Sequence, residues 1–155
     1  MATTPSTIRI SGYLSNGCSL FHPRVVSQHA ALEAAGETAA WLYDKYPYIK
    51  AYLDAAKSLD ELQGNVGKPE KGYEVHHIVE QAGAARDGFA PEEIDAPENL
   101  VPIPTLKHWE ITAWYMRGNP SFENLAHRRY LEHKSWEERR RVGIDALRNF
   151  GVLKE

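Results

Sequence analysis

His76 and His77 stand side by side in the stretch GYEVHHIVEQ, followed by Asn99 in ENLVPIP and by His108 in TLKHWEITAWY. Hydrolysis of a phosphodiester needs a base that deprotonates water, a cation that stabilises charge on the pentavalent centre and the departing oxygen, and rigid placement of both. Imidazole suits two of these tasks: it takes up a proton near neutral pH, and its neutral form is a good ligand for Zn, Ni and similar divalent ions. Adjacent histidines at a strand end point in different directions, so one can hold a metal while the other faces water. Two histidines, an asparagine and a further histidine would each mean little alone; their order and the elements around them carry the signal.

Those elements follow from local pattern. Residues 73–79 are β-prone and place the histidine pair at a strand end, and residues 100–103 form a second short strand whose neighbouring Pro102 and Pro104 favour an edge or a strand terminus. Between them, residues 81–98 are rich in Ala, Gly, Pro and acidic side chains, which predicts a loop holding a short helix near 91–94. Thr105 suits the N-cap of a helix from 106 to about 117, which Gly118, Asn119 and Pro120 terminate. The result is strand, long loop, strand, helix.

Over residues 73–115 this pattern resembles the HNH endonucleases, also called ββα-metal or His-Me finger nucleases, in the HHI-containing variants found among bacterial toxin and phage-type proteins. The tail SWEERRRVGIDALRNFGVL is similar to the segment that follows such a motif in bacterial proteins. The resemblance implies His76 as a metal ligand, His77 as the general base, Asn99 as an orienting residue of the catalytic set, and His108 as the second metal ligand. It implies attack by water deprotonated at His77, with a divalent cation (Mg, Mn, Ni or Zn) stabilising the departing 3' oxygen. Some members carry a further histidine one turn after the last one, where this chain has Thr112, and Glu110 points off that face. Water and substrate phosphate, Glu80 or a distal histidine would then complete the ligand shell.

The remainder of the chain reads as support. Residues 1–27 mix Thr, Ser, Gly and Pro with short β-prone pieces and predict an irregular arm. From Gln28, Leu32, Ala35, Ala39, Leu42, Tyr43 and Tyr46 recur at helical spacing behind Ser27 as N-cap; Pro47 is expected to interrupt that helix. A second helix with Ile49, Tyr52, Leu53, Ala56, Leu59 and Leu62 on one face would complete a helical hairpin. Residues 67–72 form a turn-rich link. In the last third, a short helix near 125–132 precedes a longer one whose capping box is Ser135 with Glu138 and whose C-terminal αL residue is Gly151. The expected fold class is α+β and mostly helical: a ββα-metal finger over 73–117, between an N-terminal arm and helical hairpin (1–66) and C-terminal helices (121–155), in one domain of 155 residues.

Composition narrows the function classes. With 43% hydrophobic and 25% charged residues the chain reads as a soluble globular protein, and no apolar run reaches membrane-spanning length. No secretory signal is legible, so the expected compartment is the cytoplasm, or export as part of a bacterial effector. Cys18 is the sole cysteine, which excludes a disulfide within the chain and a multi-cysteine zinc site. The formal charge of -3 gives no global attraction to a polyanion, so any nucleic-acid surface must be local. Lys107, Arg128 and Arg129 are its candidates, with DNA the expected partner and RNA the alternative. Arg139, Arg140 and Arg141 follow two glutamates and read as a solvated helix face. Glu80 reads as an exposed or locally bonded carboxylate, Trp109, Trp114 and Tyr115 as core, and His22, His29, His127 and His133 as surface or packing residues. Two further readings stand beside the nuclease: a noncatalytic nucleic-acid or protein-binding module that keeps the metal finger as a structural element, and a toxin or phage-processing nuclease, the toxin with an immunity or inhibitor protein as partner.

Overall fold

A computed structural model describes residues 28–155 apart from Pro69, with only the backbone given for Gln28 and His29. The expected arm, the Ser27 cap, Cys18, His22 and the His29 side chain lie outside the described residues. The described fold is mixed α+β and mostly helical, with one two-stranded antiparallel sheet.

Strands β1 (Tyr73–His77) and β2 (Leu100–Pro104) pair with Glu74 opposite Ile103, His76 opposite Val101 and His77 opposite Leu100. Side chains alternate along a strand, so Glu74, His76, Val101 and Ile103 share one face. Helix α5 (Thr105–Tyr115) packs on it, contributing the buried Ile111 and Tyr115. Thr105 does not cap α5, as the sequence suggested. Pro104 takes the cap position, and Thr105 is the buried first helical residue, its backbone N–H donating to the Gly72 carbonyl at 2.9 Å. The link between the strands folds into α3 (Gln81–Arg86), α4 (Pro91–Ile94) and a 3-10 turn (Pro97–Asn99). Helix α4 lies where a short helix was expected, and Pro91 starts it because proline at the first position supplies the required φ and its missing N–H is no loss there.

Pro47 does not interrupt its helix. Helix α1 runs over Gln28–Tyr52 with Pro47 inside it, and the break falls after Tyr52, before the short α2 (Leu59–Gln63). Proline removes one intrahelical donor, leaving the Tyr43 carbonyl to solvent on a strongly exposed turn. The expected helical hairpin is therefore one long helix and one short one, the latter started by a full Ser58–Glu61 capping box. The apolar face of α1 is exposed at Leu32, Leu42, Tyr43 and Tyr46. Only toward its end does α1 pack tightly: Ala51 is buried, and a Cβ on Gly72, at φ +97, would lie 2.6 Å from the Pro47 carbonyl oxygen.

After α6 (His127–Tyr130), helix α7 (Trp136–Asn149) closes the core with Val142, Ala146 and Leu147, packed with Ile78 and Ile111. Ser135 Oγ accepts the Glu138 N–H at 3.3 Å, but the Glu138 carboxylate turns to Tyr130 and Arg141, so only half of the expected capping box forms. Gly151 takes the left-handed conformation as expected, at φ +62. The tail then pairs with the α1–α2 connection: Lys57 N–H donates to Val152 O at 3.0 Å, and Lys154 N–H to Lys57 O at 2.9 Å.

The arginine run is not a uniformly solvated face. Arg139 is buried and ion-paired with the equally buried Asp87 carboxylate, which also accepts the His133 N–H; Arg140 donates to the Glu98 carbonyl, and Arg141 alone stays on the surface with Glu138 and Asp145. Trp109 is exposed rather than core, whereas Tyr115 is buried. His127 is structural: its ring accepts from the Asn119 amide at Nε2, donates from Nδ1 to the Trp114 carbonyl, and lies against the Trp114 ring with centroids 3.4 Å apart. Among the described residues no helix is long and apolar enough to cross a membrane.

Candidate functional site

The strand pair and α5 bring His76 and His108 together. His76, near the end of β1, faces α5, and His108 in the second turn of that helix faces back; their ring centroids are 5.0 Å apart with planes at 75°. His76 is 6% exposed, and its Nε2 is buried without a hydrogen-bond partner. An unpaired buried ring nitrogen is costly unless something occupies it, and a divalent cation fits that requirement. The His108 Nδ1 lies 2.8 Å from a Glu74 carboxylate oxygen. A carboxylate only accepts, so the Nδ1 of His108 donates and the Nε2 lone pair of the neutral ring is left free. This carboxylate–histidine arrangement is one that orients metal-binding imidazoles. Glu74 went unmarked in the sequence reading, although its place two residues before His76 on one strand face was a usable signal.

Burial, reinforced by the neighbouring His108 and His77 rings, holds the His76 imidazole down to about 3, against 6.5 in free solution. In the metal-free protein this fixes a sign. Between these two values the unfolded chain binds the extra proton and the folded one does not, so stability is full above about pH 6.5 and falls as pH drops toward 3. The slope is at most about 1.4 kcal/mol per pH unit. Urea midpoints of metal-free wild type and His76→Gln between pH 7 and 4 test this: the wild type is expected to lose stability more steeply, and parallel curves would exclude the assignment.

His77 turns to the other face of the strand, where its Nε2 lies 2.9 Å from Asp95 Oδ1 at the end of α4. Asn99, expected as an orienting residue, bonds to backbone rather than to the His77 ring. Its side chain is 1% exposed and fully engaged with backbone: Oδ1 accepts the Val79 N–H at 2.7 Å, and Nδ2 donates to the Ile94 and Val79 carbonyls at 2.8 and 3.2 Å. Its own carbonyl accepts the Ile78 N–H at 2.8 Å. Asn99 thus ties the strand end to the inter-strand segment.

The basic candidates are differently placed from expectation. Lys107 is not a phosphate-facing cation: it is buried and donates to the Gly151 carbonyl at 2.8 Å, because its side chain leaves α5 toward the C-terminal end of α7. Arg128 forms a bidentate pair with Glu80, whose carboxylate is thereby committed elsewhere than to a metal. Arg129 is exposed and pairs with Glu132 at 2.8 Å. Among the described residues no group of three or more His, Cys, Asp or Glu side chains is disposed to hold a metal, so the chain offers His76 and His108 as a two-nitrogen set. No protein-family model, curated protein or solved structure matches the chain.

Proposed function

We propose that the chain is a metal-dependent endonuclease of HNH type, its β1–β2–α5 unit serving as the ββα-metal finger, and that it hydrolyses phosphodiester bonds in DNA. The observation that carries this reading is the partnerless buried Nε2 of His76 beside the His108 ring. In this reading His76 and His108 would hold a divalent cation, which would supply positive charge to stabilise the departing oxygen. His77, on the opposite strand face, takes a proton from the water that attacks phosphorus in line. Glu74 keeps the His108 ring in the orientation and tautomer that ligation needs.

The test is conversion of supercoiled plasmid to nicked or linear DNA by the purified chain with Mg, Mn, Ni or Zn, against a chelator control. Absence of cleavage with all four ions would refute the proposal. Calorimetric titration of Zn and Ni checks the metal set: His76→Ala and His108→Ala are each expected to weaken binding by at least about 100-fold, the upper range for losing a mere supporting partner of a ligand. Wild-type affinity in both variants would exclude these two ligands. The two-nitrogen set also favours a second reading, a noncatalytic binding module with a structural metal. Tight metal binding without cleavage would support that reading.

A further inference from the structure

We propose that Asp95 positions His77, doing so through an Nε2–H···carboxylate hydrogen bond that leaves Nδ1 as the nitrogen facing the attacking water. This rests on His77 as the general base of the reading above. The distance of 2.9 Å from His77 Nε2 to Asp95 Oδ1 is that of a good hydrogen bond, and an ionised carboxylate can only accept. The neutral imidazole therefore carries its proton on Nε2. Its lone pair stays on the other side of the ring, and the bond to Asp95 sets the ring's rotation as well as its tautomer.

The route by which Asp95 reaches this place is built. Ile94 is buried in a small cluster with Val79 and Ala84, which anchors the end of α4. The Asp95 N–H donates to the Pro91 carbonyl at 2.8 Å and closes that helix. Asn99 then joins the two backbones that carry the pair: it bonds Ile94, the residue before Asp95, and Val79, two residues beyond His77. The asparagine thus acts on the base at one remove, by fixing the separation of His77 from Asp95. The Asp95 side chain is 58% exposed and that of His77 22%, so the pair adds little to folding stability. Its consequence belongs to turnover.

The experiment compares wild type, Asp95→Ala and Asp95→Asn. Nitrogen-15 NMR of the metal-free proteins reads the His77 tautomer, the His77 signals being assigned from their loss in His77→Gln. Wild type is expected in the Nε2–H form; Asp95→Asn retains it, because the amide oxygen still accepts, and Asp95→Ala gives a mixture. In plasmid cleavage, Asp95→Ala is expected to lower kcat by about 10- to 100-fold, the range for removing a partner that orients an active-site imidazole, with KM unchanged and with partial rescue in Asp95→Asn. An Nδ1–H or mixed tautomer in wild type, or an unchanged kcat in Asp95→Ala, would overturn the assignment. Absence of cleavage by wild type with every ion would defeat the nuclease reading alone, since the tautomer measurement still decides the role of Asp95.

Discussion

His77→Ala protein is expected to fold, bind metal and melt much as wild type does, and to cleave plasmid about 100- to 10,000-fold more slowly, the usual span for loss of a general base. The two halves of that result come from the two faces of β1. His77 shares its face with neither His76 nor the α5 helix, and its one side-chain hydrogen bond is to the half-exposed Asp95. Such a pair contributes about 0–1 kcal/mol, so Tm should move by only a few degrees. His76 keeps its buried place beside His108, and metal affinity, read by calorimetry, should not follow the loss of rate. Wild-type cleavage by His77→Ala would remove His77 from the chemistry; parallel loss of metal binding would mean that the two histidines do not divide the labour as proposed.

Gly143→Ala is expected to cost the most stability of any single methyl added to the described chain. A Cβ there would stand 1.9 Å from the Ile78 carbonyl oxygen and 2.8 Å from its carbon, so backbone rather than a yielding side chain blocks it. Helix α7 would have to lift from the residue that follows His77. Overpacking of this kind costs about 3 kcal/mol or more, which lowers Tm by about 6–12 °C in a chain of this length. Gly36 provides the contrast, since a Cβ there meets nothing within 4 Å. Gly36→Ala in the middle of α1 should be neutral or stabilise by up to about 1 kcal/mol. Thermal unfolding of both variants decides the matter, and an unchanged Tm for Gly143→Ala would contradict the close packing of α7 on Ile78.

The parts of this arrangement that local chemistry determines were legible in the residues alone. β-prone runs marked β1 and β2, a short helix near 91–94 was expected where α4 lies, and Gly151 marked the end of α7. Since His76 and His108 sit on those elements, their meeting followed from the order of strand and helix. The side-chain partners did not, because long-range packing selects them. Nothing near Lys107 foretells that its ammonium turns inward to Gly151, and nothing near Arg139 foretells the buried Asp87. Pro47 misled for a related reason: a helix tolerates an interior proline more readily where the carbonyl it orphans reaches water, and exposure is a property of the assembled fold. Asp95 had no spacing signal, since the loop that delivers it is shaped by Asn99 and Ile94 rather than by its own sequence.

The contact of Gly143 with Ile78 has a further consequence for the order in which the chain becomes competent during synthesis. A nascent chain that has emerged as far as Tyr115 already contains all four motif residues, yet the backbone just beyond His77 still lacks the helix that will cover it. The isolated bridge of Lys57 against Leu153 likewise waits for nearly the last residues to appear. Contacts between such distant parts of a chain form late, because loop closure precedes their reward. A ribosome-bound chain halted after α5 should therefore be inert and protease-sensitive, and competence should arrive as a step with the emergence of α7 and the tail.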